Sequence, residues 1–426
     1  MLAGAREKLV TLLRRTERYT KTDMVYLFSG WSWSLVGQFA SSLCSFALAV
    51  VVGHFFPKDA YGDYKYIIAA VALISTFSLA GLGTAVFQSI ASGFDGALYE
   101  GFWLNLRWSV LVFLGAFVVA SYYFFLDNPM LAFGILIGGC LSPVLASANL
   151  SGAYLNAKKD FRRANLYFSV IETALATGAL IATIFITKNP LALAAVYFAA
   201  NTIATLFLYW HIVRRYRPDP QKTDPEMLSY GKHLSVISIL AGLAGNLDQI
   251  LLFHFVGPIK LAIYNFAIAI PDQTKGPLKA LDKMIQAQFA NRPDDEIRRG
   301  MASKTLILTI FCIAMVALYI AVAPFVYKIF FPNYTDSVMY SQIYALSYLT
   351  VIFTPAGSYL TAKKKVREQY MGSISMSILW IFALTIGVYF WGVLGLVVAL
   401  TLTRFAGPAL NYVLYVRSMN RSGAAY

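Results

Sequence analysis

Apolar runs of about twenty residues recur along this chain almost without interruption, and no other feature constrains its fold as tightly. A run of that length crosses the roughly 30 Å hydrocarbon core of a bilayer as an α-helix. Inside lipid, only helices and closed barrels satisfy their own backbone groups, and these runs are continuous rather than alternating, which selects helices. Twelve spans are expected, at about 28–53, 62–90, 102–126, 130–155, 165–187, 190–212, 229–256, 261–288, 303–327, 338–361, 369–390 and 392–416. Turns as short as Leu126-Asp127-Asn128 and Thr187-Lys188-Asn189 make the flanking spans antiparallel neighbours.

Of the 426 residues, 58% are hydrophobic and 13% charged, with a mean hydropathy of +0.61. Soluble domains carry about 25% charged residues, so soluble enzyme classes are excluded. The net charge of +14 is not a nucleic-acid signal, because polytopic proteins concentrate Lys and Arg in cytoplasmic loops. With the N-terminus inside, the cytoplasmic side receives Arg14, Arg15 and Arg18, Lys158 to Arg163, Arg214 to Arg217, Arg298 and Arg299, Lys363 to Arg367, and Arg417. The outer loops keep only Lys58, Lys188, Lys260 and Lys328. Both termini are therefore expected in the cytoplasm. Residues 1–27 read as an amphipathic segment on the cytoplasmic surface rather than a cleavable signal. The spans divide into lobes at 28–213 and 229–417, joined by a charged linker at 214–228 and followed by a tail at 418–426. Cys44, Cys140 and Cys312 sit in apolar segments, and no Cys or His spacing suits a metal, so neither metal nor cofactor is expected.

The halves repeat. SGAYLNAKKDFR (Ser151–Arg162) aligns with AGSYLTAKKKVR (Ala356–Arg367), and HFFPKDAYGDY (His54–Tyr64) with HFVGPIKLAIY (His254–Tyr264). Both halves enter from the same side, so the repeats are parallel, related by a pseudo-two-fold along the membrane normal. An offset of 200 residues maps span 2 onto span 8, and because span 2 is apolar through 69–87, both are expected to be full-length helices. The offset also places Asp272, Lys275, Lys279 and Asp282 where the first half has Ala72, Ser75, Leu79 and Leu82, and Gln288 opposite Gln88.

That charge is an asymmetric addition to a symmetric scaffold. Asp272, Lys275, Lys279, Asp282 and Lys283 recur at steps of three and four, which stack along one helix face. Each would cost roughly 2.5–3.5 kcal/mol facing lipid at mid-bilayer, so the stripe must look onto water or protein. One alternative ends the span near Asp272 and begins a cytoplasmic amphipathic extension at Pro271 and Gly276-Pro277; the repeat favours the cavity. Two more charges lie within spans, Asp248 in span 7 and Arg404 in span 12. Asp248 falls about 12 Å inside the outer surface and Arg404 roughly 20 Å, at 1.5 Å per residue. Pairing is the usual remedy for such charges, so an Asp248–Arg404 pair is expected, with Arg404 bonded to backbone carbonyls or polar groups of a neighbouring span as the alternative.

With these repeats in place, the chain resembles the Wzx-type polysaccharide flippases of the multidrug/oligosaccharidyl-lipid/polysaccharide exporter superfamily. FFPKDAYGDYKYIIAAVALISTFSLAGLGTAV is similar to that family's first hairpin and GNLDQILLFHFVGPIKLAIYNFAIAI to its seventh span; the Ala-Lys-Lys loops and minimal connections also agree. The resemblance implies an all-α protein of two six-helix lobes around a central cavity lined by spans 1, 2, 7 and 8. It implies a transporter that makes no bond, moving a polyprenyl-diphosphate-linked glycan across the cytoplasmic membrane by alternating access. Its partners would be that glycan, the bilayer and the polysaccharide polymerase and export machinery, with no nucleic acid. Lys275, Lys279 and Lys283 would neutralise the diphosphate, Asp272 and Asp282 would keep the stripe solvated, and Trp31, Trp33 and Tyr64 could stack on sugars or belong to interface belts. Relatives place a cation site among spans 7, 11 and 12, but span 11 here has no carboxylate. A multidrug exporter would want an acidic pocket, and a membrane glycosyltransferase or polymerase would need large outer loops, which this chain lacks.

Overall fold

The computed structural model describes residues 24–274, 294–362 and 366–423, and every element among them is helical. The first half begins with α1 (Met24–Phe55), α2 (Lys58–Ser75), α3 (Leu82–Ala91), α4 (Ala97–Trp108) and α5 (Val110–Phe125). It continues with α6 (Pro129–Ala148), α7 (Leu150–Ala157), α8 (Phe161–Ala164), π-helical turns at Asn165–Glu172, α9 (Thr173–Ile186) and α10 (Pro190–Tyr216). The second half holds α11 (Met227–Val256), α12 (Pro258–Thr274), α13 (Asp294–Phe330) and α14 (Ser337–Ala345). After 3-10 turns at Leu346–Phe353 come α15 (Thr354–Ala362) and α16 (Val366–Gly423). The short turns carry their own start signals. Asn128 and Asn189 accept the backbone N–H groups of Leu131 and Leu191, and Pro129 and Pro190 occupy first-turn positions where no N–H is needed.

Among the described residues, seven segments are long and apolar enough to cross a membrane, the last of them Ser375–Val416. That segment reverses at Gly392, whose φ of 56° favours glycine, and a Cβ on Gly395 would lie 2.0 Å from the Gly387 carbonyl oxygen. The two arms of α16 therefore meet backbone to backbone. Phe125 and Ile186 are each 84% exposed and stand among many outward-facing large apolar side chains, a surface suited to lipid rather than water.

Within the first half, α5 and α10 pack on α6, and α1 lies along the π-helical turns and α9. Within the second, α11 and α15 pack on α16, and α12 on α14. The halves meet chiefly where α2 lies on α11 and α12, and α3 on α11. A Cβ on Gly62 would lie 2.0 Å from the carbonyl oxygen of Pro258, so only glycine lets α2 approach the start of α12 this closely. At this end Tyr66 stacks on Phe253 at 3.9 Å and bonds Tyr123 at 2.5 Å. Tyr123 in turn reaches His254 Nε2 at 3.0 Å, while His254 Nδ1 donates to Ile250. Asn333 donates to the Gly53 carbonyl at 2.9 Å, and Lys58 lies 3.6 Å from Asp336. The opposite end carries the basic clusters. There Ser89 donates to Asp224 at 2.6 Å, Gly96 donates to the Lys222 carbonyl at 2.9 Å, and Lys158 lies 2.6 Å from Asp95.

One expectation is corrected. Span 2 is not a continuous helix: it breaks between α2 and α3, at residues 76–81. The break is filled by α11, with Gly81 donating its N–H to Ser235 Oγ at 3.0 Å and Gly242 leaving room for Thr76. Thr76 and Ser78 donate back to Leu73 and Ser75 carbonyls. Irregular backbone survives at membrane depth where protein covers it and satisfies its polar groups. Leu79 and Leu82, the repeat counterparts of positions 279 and 282, are buried.

Candidate functional site

The charged stripe begins on α12. Its helix runs through Pro271, and the Pro271 carbonyl accepts from Thr274 Oγ1 at 2.8 Å and from the Tyr348 hydroxyl at 3.1 Å. Those bonds hold the end of α12 against the 3-10 turns of the second half. Asp272 follows directly. Its Oδ1 accepts from the Tyr344 hydroxyl at 2.7 Å and lies 3.4 Å from Arg404 Nη1. The Arg404 guanidinium also stands 4.7 Å from the centre of the Tyr344 ring, a cation over an aromatic face. Both side chains of the ion pair are partly exposed, at 32% for Arg404 and 41% for Asp272. Beside them Ser42 of α1 donates to Gln273 Oε1 at 2.9 Å, so the two helices meet at this level.

Asp248 lies deeper and is buried. Its Oδ2 accepts from the Tyr264 hydroxyl, and Oδ1 accepts from the Gln249 N–H at 2.9 Å. The direct contact of Arg404 is with Asp272 rather than Asp248, which bonds Tyr264, and the guanidinium still acts on the Asp248 carboxyl through space. Counting rise along a helix fixes depth but not the direction a side chain faces, and here two tyrosines occupy the space between the carboxylates. The second half thus holds Asp248, Tyr264, Tyr344, Asp272 and Arg404 close together on α11, α12, α14 and α16.

Gln88 does not join this group. It is exposed near the end of α3 and donates to the Tyr230 hydroxyl at 3.2 Å. Lys275, Lys279, Lys283, Asp282 and Gln288 lie outside the described residues. Tyr64 is buried in the core against Tyr61 and Tyr197, which removes it from any sugar-stacking surface. Trp33 instead lies under the Arg162 guanidinium at 5.3 Å. Sequence reasoning missed Tyr264 and Tyr344; the Tyr64–Tyr264 match between repeats, beside Leu48 in one half and Asp248 in the other, was the available signal for the first. Among the described residues, His, Cys, Asp and Glu do not gather into a group that could hold a metal ion.

At the basic end, Asp160 caps α8 by accepting the Arg163 N–H at 3.1 Å, and its other oxygen takes the Arg163 guanidinium and the Tyr216 hydroxyl. Partial burial pushes the Asp160 carboxyl up, but the hydroxyl, the backbone N–H and the guanidinium together hold it below the usual carboxylate range.

Solved structures of transporters share this fold. A multidrug MATE transporter of the MOP superfamily in its inward-facing conformation matches with a TM-score of 0.69 at 14% identity, over 89% of this chain and 95% of that one. The outward-facing conformation of a MATE transporter of that superfamily matches at 0.61 and 15% identity, over 91% and 93%. The lipid II flippase MurJ, inward closed, matches at 0.70 and 14% identity, over 89% and 86%. The fold is therefore the all-helical MATE-like fold. In sequence, the lipopolysaccharide biosynthesis protein WzxC of Escherichia coli (strain K12) is 22% identical over 409 residues, covering 91% of this chain and 80% of WzxC. The family described as polysaccharide biosynthesis protein matches residues 51–339, well over half of the chain, and the chain belongs to that family.

Proposed function

We propose that this chain is a flippase that carries a polyprenyl-diphosphate-linked oligosaccharide across the inner membrane by alternating access, for cell-surface polysaccharide biosynthesis. The observation that carries the reading is the MATE-like fold, shared with the lipid II flippase MurJ, in a chain of the polysaccharide biosynthesis family. The two halves touch at the end away from the basic clusters through the Gly62–Pro258 contact, the Tyr66–Phe253 stack and the Asn333–Gly53 bond, and towards the basic end through Gln88–Tyr230 and Gly81–Ser235. In this reading the basic end faces the cytoplasm with both termini, and residues 28–213 and 229–417 rock as lobes about the linker at 214–228.

The family and the WzxC relationship support a saccharide cargo. Its diphosphate must cross hydrocarbon with at least two negative charges. Lys275, Lys279 and Lys283 neutralise it in the cavity, Asp272 and Asp282 keep those lysines solvated when the cavity is empty, and Gln88 and Gln288 add polar contacts to the cargo. Asp272 on its Tyr344 and Arg404 partners marks where the stripe starts. The chain works as a transporter, breaking no bond of its cargo.

Lys275→Ala with Lys279→Ala should abolish surface polysaccharide at unchanged protein level, with the lipid-linked saccharide accumulating in the inner leaflet. Loss of a charge partner in a dry site costs about 3–5 kcal/mol; a wet cavity lowers that but leaves a severe defect. Normal display by the double variant would remove these lysines from the mechanism.

A further inference from the structure

A second polar site lies in the first half, away from the Asp272 group. Where α1, the α6–α7 junction and the π-helical turns converge near the basic end, they line an open cleft of about 370 Å³. Its walls present Ser34, Asn149, Asn156, Asn165, Ser169 and the ring of Phe168, with Gly152 and two alanines between them. No lining residue is charged. The volume sits at the low end of the roughly 300–1,000 Å³ typical of ligand pockets, room for one ring rather than a chain of them.

The hydrogen bonds already made decide what the cleft can still offer. Asn156 donates its amide to the Gly152 carbonyl at 2.9 Å, and Asn165 donates to the Phe161 carbonyl at 2.8 Å and to Ser34 Oγ at 3.5 Å. Each thereby uses donor capacity on its own helix and keeps its side-chain carbonyl as an acceptor. Asn149 is exposed, and its side chain makes no hydrogen bond to the described residues. An uncharged, acceptor-rich wall beside an aromatic ring suits hydroxyl donors on a carbon ring. It does not suit a phosphate, which wants cations and N–H donors, or a metal ion, which wants carboxylates.

Two further features set this cleft apart from ordinary packing. The Asn165–Glu172 segment is wound as π-helix, a local widening that brings Asn165, Phe168 and Ser169 to the cleft and that is frequent at functional sites. The repeat also does not share the amides: Asn149 and Asn156 correspond to Thr354 and Thr361 in the second half. At the rim, exposed Arg162 rests on the Trp33 ring, a cation next to the neutral cleft.

We propose that this cleft is a binding site for a single neutral sugar residue, the one joined to the diphosphate of the lipid-linked cargo, with Arg162 beside the adjoining phosphate. The assignment rests on the flippase reading above. Hydroxyl groups of the sugar donate to the Asn149, Asn156 and Asn165 carbonyls, and its less polar face lies on Phe168. Lys158 and Lys159 after α7, with Arg162 and Arg163 on α8, put the cleft at the level where a cytoplasmic headgroup first meets the protein.

Binding to the full-length protein in lipid nanodiscs tests this with farnesyl diphosphate and its conjugates to N-acetylglucosamine, glucose, galactose and glucuronic acid. At least one neutral conjugate should bind the wild type tenfold or more tighter than farnesyl diphosphate, and the glucuronic acid conjugate should gain nothing. Gly152→Leu, which fills the cleft, and Asn149→Leu, which removes an exposed acceptor, should each bring the ratio close to one while binding of farnesyl diphosphate persists. If Gly152→Leu fails to fold, Asn149→Leu decides, since its side chain holds no bond within the protein. Equal affinity for all probes in the wild type, or an undiminished sugar preference in the variants, overturns the site while leaving the flippase reading in place. Failure of the wild type to bind any of the probes, farnesyl diphosphate included, overturns both.

Discussion

Tyr64 and Tyr264 stand at equivalent points of the two repeats and are both buried, at 4% and 0% exposure, yet they do different work. Around Tyr64 the first half supplies rings, those of Tyr61 and Tyr197, and the residue 200 positions before Asp248 is Leu48, packed against the apolar core. Around Tyr264 the second half supplies a carboxylate, Asp248, and through Tyr344 the Asp272–Arg404 pair. One scaffold position is thus structural in one half and polar in the other. Duplicated helices keep their packing, which the fold requires of both copies, and are free to diverge in buried polar groups, which the fold requires of neither.

The largest expected difference is between removing the two hydroxyls. Tyr264→Phe leaves a buried carboxyl oxygen without its donor and should destabilise the protein by about 1–3 kcal/mol. Tyr64→Phe removes a hydroxyl with no hydrogen-bond partner among the described residues and should change stability little. Thermal unfolding in detergent compares them, and equal losses would break the comparison. Adding Asp248→Leu to Tyr264→Phe gives the second half the first half's leucine and an apolar ring. Removing both partners of a buried hydrogen bond is often close to neutral, so stability should recover to within about 1 kcal/mol. Polysaccharide display should not recover. Display restored along with stability would make the Asp248–Tyr264 bond purely structural.

Much of this was legible in the sequence, and the unread part has a physical cause. Span length, the Asn-Pro helix starts and the parallel repeat are local or periodic signals, and the helices at Pro129 and Pro190 begin as their caps dictate. The break between α2 and α3 was not legible, because the run stays apolar enough to span despite Ser75, Thr76, Ser78 and Gly81, and it closes on the Ser235 hydroxyl and the room left by Gly242 on a distant helix. The charges at Asp248 and Arg404 were legible as requiring partners. Which partner each took was not, since the choice between Asp248 and Asp272 depends on side-chain direction and on tyrosines contributed by α12 and α14. The cleft at Asn149 was equally hidden, its amides being spread over three elements and aligned by π-helical turns.

A smaller effect sharpens the pairing itself. The Arg404–Asp272 contact is single, 3.4 Å long and partly exposed on both sides, so its coupling should be about 0.2–1 kcal/mol after solvent screening. A double-mutant cycle of Arg404→Gln with Asp272→Asn should return that value. The cycle of Arg404→Gln with Asp248→Asn should return less, because no direct contact joins them. A larger coupling for Asp248 would restore the pairing expected from depth alone.

A further difference concerns the repeated Ala-Lys-Lys loop, where the first half has Asp160 and the second has Lys365, which lies outside the described residues. Asp160 caps α8 and binds Arg163 and Tyr216, and these partners outweigh desolvation to depress its carboxyl. A group whose folded value is depressed contributes stability that is present above its unfolded value, about 3.9. That contribution is lost as pH falls through the folded value. The wild type should therefore lose melting temperature on acidification from about pH 5 to about pH 3, and Asp160→Asn should lose less of it while starting lower. Asp160→Lys, the second half's residue at this point, should start lower still, since losing the cap alone costs about 0.5–2 kcal/mol. An identical acid response in wild type and Asp160→Asn would show that the loop is held by its helices and not by this carboxylate, and the two repeats would then be equivalent at this loop despite their opposite charges.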